Sequence, residues 1–472
     1  MSSLGISSIS LTDYLNQSLA YLRQPITNLE YRRSQLEVKN AVFTDLGAKL
    51  ASFEHVLERI SATGTSSPFR SKAVTSSAET LVTAAATGDA LAGAHTVFVT
   101  QLARAHAVVS SRYDQDGTVL SGAQSGTRTF SITVDGEIYD ISVDIAPEET
   151  DATVLAHIAS AINDAADGDV MASYVMDTPT TGKISIRSGS TGTAGSMTFT
   201  DTDGLLAALG VTNATAATDT VGGYIYADLG GNELDAKVTV DGINVISSDN
   251  LIENVVNGLT FTLLGEQETG DTPVTLTVAV DTTSIRADVE EFLAVYNDVF
   301  AYLVEKTRVD GVTYDRGILA GDFPYVSLRI NMRGMMSAYL GAASTDYNAL
   351  SKIGITSDRS GDFSITDFSL LEEAILADPE ALESLFAGEG GIATSLAALI
   401  SSYTEPGGTI SNGKDGISAR INLINQNIER QERRLELRER DLRERYAALQ
   451  EALYILEQTS SMTSMFSNIV GV

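Results

Sequence analysis

The sequence predicts a multidomain α+β protein, in which terminal coiled-coil helices and a helical bundle domain carry two discontinuous, β-rich α/β outer domains. Three observations predict this class. Both ends of the chain repeat apolar residues in steps of four and three, the pattern of coiled-coil helices. Residues from about 63 to 281 are rich in Thr, Val, Gly and Asp, with the alternating apolar residues of strands. Helical spacing then returns between about 284 and 403.

These changes of pattern divide the 472 residues into four predicted domains, of which three are discontinuous in sequence. The length alone would suggest about three domains. The predicted boundaries are 1–43 plus 417–472 for the terminal coiled-coil legs, 44–72 plus 281–416 for the helical domain, 73–126 plus 222–280 for a β-rich outer domain, and 127–221 for an inserted hairpin-and-helix outer domain.

The N-terminal apolar row predicts a helix from about 25 to 60, preceded by a looser apolar segment. Pro25 fits either the first turn of that helix or a kink within it. The row shifts phase at Phe43, where a step of three replaces a step of four, as in a stammer. The predicted contact residues of this segment are Leu15, Leu19, Leu22, Ile26 and Leu29.

The C-terminal pattern is stronger and predicts a helix from 417 to 456. That helix would be about 60 Å long at ~1.5 Å per residue, more than a globular core requires. It therefore needs a partner, and the N-terminal helix is the obvious one. Its apolar row consists of Ile421, Ile428, Leu435, Leu442, Leu449 and Leu456.

The second row of the C-terminal helix turns polar at Gln431, Arg438 and Arg445. Polar residues at coiled-coil positions can specify register or partner at some cost in stability. The alternative is a solvated flank, with arginine stems packed beside the apolar contact. The sequence favours neither interpretation.

Two hairpins are predicted in the middle of the chain, at Asp135-Gly136 and at Asp241-Gly242. An Asp-Gly pair flanked by alternating apolar residues is the strongest short signal for a hairpin. Both hairpins contain the residues T-V-D-G, and helix-like stretches follow at 153–165 and 250–256. This predicts a weak internal repeat of a hairpin–helix unit.

Helices are predicted again from about 284. The first carries an apolar stripe at helical spacing, made of Ile285, Val289, Phe292, Tyr296, Val299 and Leu303. Further helices are expected at about 325–340, 369–376, 379–386 and 392–403.

Catalytic and ligand motifs all lack their required context. The segment from Gly408 to Lys414 fits the start of a phosphate-binding loop, but Asp415 replaces the magnesium-binding Ser or Thr and a helix is expected before it. We interpret it as a turn, with Asp415 capping the long helix. The pairs Asp114/Asp116 and Asp201/Asp203 start like calcium loops without the later ligands. We therefore expect no catalytic, cofactor-binding or metal-binding residues and no enzymatic activity.

Composition and charge limit the classes of molecule that this chain is expected to bind. The net charge is −31, and residues 74–285 contain 28 acidic and 6 basic residues, so nucleic acid and anionic lipid should be repelled. Cysteine is absent, which excludes disulfides and thiolate sites. The start of the chain lacks the features of a secretory signal peptide, and no apolar run approaches 18 residues, so no membrane span is expected. By these signals alone the chain would be cytoplasmic.

Motifs in matching order along nearly the whole chain resemble the flagellar filament cap family, also called flagellar hook-associated protein 2. The most specific stretch runs from 353 to 365 and continues to Leu385 and Phe386. The segment 127–165 is similar to a repeat inserted in hook proteins and flagellins. The other matching positions are Gly5, Ile6, Pro25, Ala92-Gly93, Val97-Phe98-Val99, Gln101-Leu102-Ala103, the run from Asn250 to Leu263, the run from Phe292 to Tyr296-Asn297, and the run from Leu319 to Asp322.

The resemblance implies a function that the spacing alone does not. Such proteins leave the cell unfolded through the flagellar type III export system and form a ring, usually a pentamer, at the extracellular filament tip. There they guide flagellin polymerisation, prevent loss of flagellin and can adhere to host surfaces. Expected partners are further copies of the chain, flagellin and the filament tip, hook–filament junction proteins and an export chaperone. The chaperone binds the C-terminal helix, where the contact candidates are Leu442, Leu449, Leu453 and Leu456.

Two alternatives stay open at this point. One is another extracellular flagellar axial or junction protein, although such proteins lack the 353–365 stretch and the Tyr296-Asn297 helix. The other is a surface enzyme anchored by a coiled coil. Such an enzyme would need a convergent polar pocket, and no motif in the sequence indicates one.

Overall fold

The computed structural model describes residues 8–313, 315–340 and 346–469. The matching positions Gly5 and Ile6 lie outside these residues. The helices are α1 (Ser8–Ile60), α2 (Val119–Gln124), α3 (Asp151–Ala166), α4 (Leu205–Leu209), α5 (Thr282–Thr307), α6 (Phe323–Met336), α7 (Phe368–Ala377), α8 (Pro379–Ala387), α9 (Ile392–Thr404) and α10 (Thr409–Ile469).

Eighteen strands form five antiparallel sheets within the described residues. They are β1 (Lys72–Ser76), β2 (Val82–Ala86), β3 (Gly93–Gln101), β4 (Ala105–Val109), β5 (Tyr113–Asp114), β6 (Gly126–Val134), β7 (Glu137–Ile145), β8 (Val170–Met176), β9 (Thr181–Thr191), β10 (Thr198–Asp201), β11 (Gly223–Tyr226), β12 (Ala236–Val240), β13 (Ile243–Ser247), β14 (Leu251–Val256), β15 (Leu259–Leu263), β16 (Val274–Val280), β17 (Ile355–Ser357) and β18 (Phe363–Ile365).

The chain divides into two compact units. The β-rich unit is Gly64–Ile285, and the helical unit is Met1–Thr63 with Arg286–Val472. The β-rich unit contains two separate hydrophobic cores. One core lies among the sheets β1-β16-β3-β12-β13 and β14-β15-β2, and the other joins α3 to the sheets that contain β6, β7 and β9.

Both predicted Asp-Gly hairpins are confirmed. Asp135 (φ 48°) and Gly136 (φ 82°) connect β6 to β7, and Asp241 (φ 49°) and Gly242 (φ 82°) connect β12 to β13. Two successive positive φ angles match the right-handed twist of the flanking strands, and Asp and Gly adopt them at low cost. The alternation on β6 then directs Phe130, Ile132 and Val134 into the core.

The predicted repeat of a hairpin–helix unit is wrong in its second copy. The helix at 153–165 is present as α3, where the hydroxyl of Thr150 caps the first turn by accepting from Thr153 N–H. The second helix-like stretch, 250–256, is instead β14, paired with β15 across a turn at Gly258 (φ 73°). A Cβ at Gly258 would lie 2.6 Å from the backbone nitrogen of Ala90, so this turn requires glycine.

Both long helices start earlier than predicted. α1 begins at Ser8, and Pro25 lies inside it rather than in its first turn, so the predicted looser segment is helical. α10 begins at Thr409, which places Asp415 inside the helix and not at its cap. The early start of α10 brings Gly413 against Phe43, where a Cβ would lie 2.6 Å from the ring. The phosphate-loop segment is therefore a helix that packs on α1.

The family-like motifs of the helical unit form its aromatic core. Tyr296 is fully buried and stacks on Phe300 at 5.6 Å between ring centroids. The side-chain amide of Asn297 donates to the carbonyl of Phe363 and accepts from its N–H, both at 2.8 Å. Gly361 (φ 98°) keeps the turn before β18 against the Phe300 ring. The Tyr-Asn motif thus connects α5 to the β17–β18 hairpin.

One helical stretch, Pro379–Thr463, contains an 18-residue window with a mean hydropathy of 1.3, which by length and composition alone could cross a membrane. Within it, α8 has 9 residues and α9 has 13, and both are shorter than the ~20 residues that a span requires. Leu385, Phe386 and Leu396 are fully buried in the helical unit. We interpret α8 and α9 as core helices of a folded domain.

Candidate functional site

The candidate site is the antiparallel pair of α1 and α10. Four contacts fix its register, because residue numbers fall along one helix as they rise along the other. Gly47 faces Ile410, and Gly413 faces Phe43. Further out, Arg33 donates to the side-chain oxygen of Asn425 at 3.3 Å, and the rings of Tyr14 and Tyr446 lie 6.2 Å apart.

The N-terminal contact residues all lie on the face of α1 that is least exposed. Leu19 and Ile26 are buried at 9% and 8% exposure, and Leu15, Leu22 and Leu29 are half-buried. The five residues therefore share the less exposed face of α1, and their role in subunit or filament contact stays a prediction. Neighbouring Tyr21 and Tyr31 lie off this face and are largely exposed.

Burial along the C-terminal row declines toward the C-terminus. Ile428 is buried at 7% exposure, and Ile421, Leu435 and Leu442 are half-buried. Leu449 and Leu456 are exposed at 46% and 68%, while Leu453 is half-buried. Within the described residues α1 starts at Ser8, near the level of Leu449, whereas α10 continues to Ile469, so the described part of α1 does not reach Leu456.

The C-terminal part of α10 thus presents an uncovered apolar surface, defined here as the distal face. It comprises Leu449, Leu453 and Leu456, which share one side of the helix, while Tyr454 and Ile455, exposed at 66% and 54%, lie on other sides of it. Within the described residues, α1 does not extend far enough to cover it. An exposed apolar cluster of this kind is typical of a protein–protein contact.

The three polar row residues differ in environment. Gln431 is half-buried, and Arg438 and Arg445 are exposed. Arg445 bonds Asp441 one turn earlier at 3.0 Å, whereas Arg438 has no ion pair with a described residue. Both arginines border a groove of ≈ 480 Å³ between the helices, whose other walls include Tyr14, Tyr21, Leu22 and Leu442. Sequence periodicity did not identify the two tyrosines, because they lie off the apolar rows.

The base of the helix pair is anchored to the rest of the helical unit by polar contacts. Lys39 on α1 pairs with Asp322 before α6 at 2.5 Å, and Lys49 pairs with Asp298 on α5. Burial, with the charge of Asp45 as a second cause, raises the pKa of Tyr302 to about 12. Its hydroxyl lies 3.3 Å from the carbonyl of Val42 and remains a hydrogen-bond donor at neutral pH.

The carboxylates that began like calcium loops serve turns instead. Asp114 accepts from the N–H of Asp116 at 3.2 Å, and Asp201 accepts from the N–H of Ala207 at 2.7 Å. Hydrogen bonds from the hydroxyl and N–H of Thr129 hold the pKa of Asp203 below its usual range. No group of three or more His, Asp or Glu side chains in the described chain could hold a metal ion.

Two family models match the chain at its two ends. The model of the flagellar hook-associated protein 2 N-terminus matches residues 7–106, and that of the flagellar hook-associated protein 2 C-terminus matches residues 234–458. The chain belongs to the flagellar hook-associated protein 2 family. The two matches include both helices of the candidate site.

Relatives and a solved structure agree with this assignment. The A-type flagellar hook-associated protein 2 of Pseudomonas aeruginosa is 26% identical over 496 residues, which cover 94% of this chain and 98% of the relative. The flagellar hook-associated protein 2 of Escherichia coli K12 is 26% identical over 482 residues, covering 99% and 98%. The crystal structure of the flagellar cap protein FliD D1-D2-D3 domains from Escherichia coli matches with a TM-score of 0.64 at 25% identity, covering 80% of this chain and 99% of that one.

Membership of the hook-associated protein 2 family settles several sequence predictions. The family consists of structural cap proteins of the flagellar filament and is not an enzyme family, so the predicted lack of enzymatic activity is confirmed. The multidomain α+β class is also confirmed. The predicted domain boundaries and the roles of the individual contact residues stay predictions.

Proposed function

We propose that this chain caps the distal end of a bacterial flagellar filament, where it guides the polymerisation of flagellin and prevents flagellin from being lost. The observation that carries the proposal is the distal face, which is apolar, exposed and located at the end of a helix pair in a filament cap family. We assign this end of the molecule to the contact with the filament tip and, during assembly, with the hook–filament junction proteins.

The cap is a closed homo-oligomeric ring, for which we propose a pentamer. Supporting this, the helix pair leaves apolar side chains on more than one side. Tyr21, Leu437 and Leu423 are exposed at 73%, 64% and 56%, in addition to the distal face. A two-helix hairpin cannot bury all of these, whereas packing between copies can.

Before export, a chaperone covers Leu442, Leu449, Leu453 and Leu456 in the cytoplasm, and contacts with the filament replace it after export through the flagellar type III system. Each large aliphatic side chain that is buried contributes roughly 1.5–3 kcal/mol. Four of them suffice for a contact of about micromolar affinity, roughly 8 kcal/mol, after the costs of association. The absence of cysteine suits a chain that is threaded unfolded. Adhesion to host surfaces would use the acidic β-rich unit.

A gene deletion tests the capping function. We expect the deletion strain to shed flagellin monomers into the medium and to lack full-length filaments, while the hook still forms. Expression of the intact chain from a plasmid should restore filaments. Normal filaments in the deletion strain would refute the proposal.

A further inference from the structure

The helical unit carries two surfaces that the capping contact does not use. The first, the α6 groove, has a volume of ≈ 520 Å³ and lies between α5 and α6. Phe300, Val304, Ile330 and Gly334 line it, together with the arginines Arg329 and Arg333. Ile330 is 59% exposed, so the groove is open and its lining combines apolar and charged side chains.

The two arginines give the α6 groove a positive charge that no described carboxylate neutralises. Arg329 donates to the hydroxyl of Thr307 at 2.9 Å, which holds its side chain in place, and Arg333 is exposed. Neither arginine forms an ion pair within the described residues, whereas most arginines of α10 between 430 and 445 bond an acidic or polar neighbour.

Gly334, which also lines the groove, is unusual for its position in a helix. It lies in the interior of α6, where glycine costs roughly 1 kcal/mol relative to alanine. A Cβ at this position would meet no atom within 4 Å, so nothing within the described chain requires a glycine here. A glycine in an exposed helix face permits close approach of another backbone, as in small-residue helix crossings.

The second surface is the outer face of α7. Leu376 is 59% exposed and Leu370 is 38% exposed, and they flank the exposed carboxylates Glu372 and Glu373. Neither glutamate has an ion-pair partner in the described chain. Residues 360–413 contain nine acidic residues and no Lys, Arg or His, and Arg286, which packs on the Phe368 ring at the start of α7, is paired with Glu290.

We propose that the α7 face of one copy docks into the α6 groove of the next. Each surface combines exposed apolar side chains with charged groups, and the two carry opposite charges without ion-pair partners in the described chain, with Arg329 and Arg333 on one and Glu372 and Glu373 on the other. The pairing is head-to-tail, because the two surfaces are different. Repetition of such a contact closes into a ring when the rotation between copies permits it. This inference rests on the proposed cap and specifies which faces of the helical unit join its copies.

Charge reversal in the full-length chain tests the pairing. Arg333→Glu and the double variant Glu372→Lys with Glu373→Lys should each lower the association constant at least tenfold in sedimentation velocity. The three substitutions combined in one chain should recover assembly, because the carboxylate introduced in each groove then meets the ammonium groups introduced on the neighbouring face, whatever the number of copies in the ring. If a different protein is the natural occupant of the groove, assembly will not recover. Failure to recover would therefore overturn the proposal.

Two further variants control for folding and net charge. Gly334→Leu fills the groove but removes a helix-weakening glycine, so the melting temperature should hold or rise while association is lost. Arg187→Glu makes the same charge change on an exposed strand of the β-rich unit and should leave association unchanged. Equal losses from Arg187→Glu and Arg333→Glu would overturn the specific contact. Shed flagellin in the deletion strain, with Arg333→Glu assembling normally, would refute this inference and leave the capping function standing.

Discussion

The helical unit and the β-rich unit differ in where their exposed apolar side chains lie. The β-rich unit buries most of its large apolar side chains in two cores, and its charge is strongly acidic, with 28 acidic and 6 basic residues between 74 and 285. The helical unit has an aromatic core and also two long helices, α1 and α10. The apolar row of α10 continues beyond its contact with the described part of α1. The β-rich unit therefore has cores of its own, whereas the C-terminal part of α10 has apolar side chains that no described residue of α1 covers.

The strongest test of this difference is a pair of charges on the distal face. Leu449→Asp with Leu456→Asp should abolish chaperone binding and filament capping, because a buried unpaired carboxylate costs several kcal/mol at each site. The β-rich unit should melt as in the wild type. Pull-down with the export chaperone and assay of shed flagellin measure the two losses. Leu91→Asp, at an exposed leucine of the β-rich unit that no proposed contact uses, is the matched control and should behave as the wild type. Normal capping by the double variant would remove the distal face from the mechanism.

Substitutions in the core of the β-rich unit should lower the stability of the fold, whereas substitutions at exposed positions of α10 should not. Phe261 is fully buried in the β-rich unit, and Phe261→Ala should lower the free energy of unfolding by about 3–5 kcal/mol. Leu423→Ala, at an exposed position of α10, should change it by less than about 0.5 kcal/mol. Urea denaturation followed by near-UV and far-UV circular dichroism measures both changes. Comparable losses from the two variants would mean that the helix pair is as self-contained as the β-rich unit.

How far the sequence could predict each unit depends on how local the causes are. The Asp-Gly hairpins and α3 follow from turn chemistry, capping and periodicity within a few residues, and all were predicted. The strand β14 was not, because pairing with β15 outweighs the helical propensity of its segment. Likewise α1 continues through Pro25 because the preceding turns pack on α10, a contact that local signals do not reveal.

The candidate site was predicted in part for the same reason. Heptad spacing identified the apolar faces of both helices, including Ile26 and Ile428. It could not show that no described residue of α1 covers Leu449 and Leu456, because that depends on the register of the two helices. The contact between Tyr14 and Tyr446, and the link from Asn297 to Phe363, join residues far apart in sequence, so only the folded chain reveals them.

The polar row offers a smaller test of partner choice. Arg438→Ala with Arg445→Ala should weaken ring assembly by less than tenfold and leave chaperone binding unchanged, because both side chains are exposed and Arg445 is already paired with Asp441. Sedimentation of the variant and chaperone pull-down measure the two effects. An unchanged ring would favour the solvated flank over the register role.

The two hairpins provide a matched pair for a pH test within the β-rich unit. Hydrogen bonds from His95 and from Thr96 N–H hold the pKa of Asp241 below its usual range. The resulting stability is present above the unfolded pKa near 4 and is lost as pH falls through the folded value. Asp241→Asn should therefore cost about 1 kcal/mol at pH 7, a value reduced for its partial exposure. The difference from the wild type should close below about pH 4.

Asp135→Asn is the control for this measurement. Asp135 occupies the same turn position at φ 48°, and the described chain offers its side chain no hydrogen-bond partner. Asparagine tolerates this backbone conformation, so the variant should remain within about 0.5 kcal/mol of the wild type. Thermal unfolding of both variants between pH 3 and pH 7 gives the comparison. A pH-independent loss in Asp241→Asn would contradict the electrostatic explanation.

The smallest expected effect comes from the charge of the β-rich unit on ring assembly. Residues 74–285 carry a net charge of −22, and copies held in a ring repel one another most when screening is weakest. The Debye length grows from about 8 Å at physiological salt to about 30 Å at 0.01 M, so the ring should loosen as ionic strength falls. Sedimentation velocity at both salt concentrations measures the shift. Asp140→Asn with Asp144→Asn, at exposed positions of β7, should reduce the salt dependence without changing the fold. A ring of equal stability at both concentrations would mean that the acidic surfaces of neighbouring copies do not face one another.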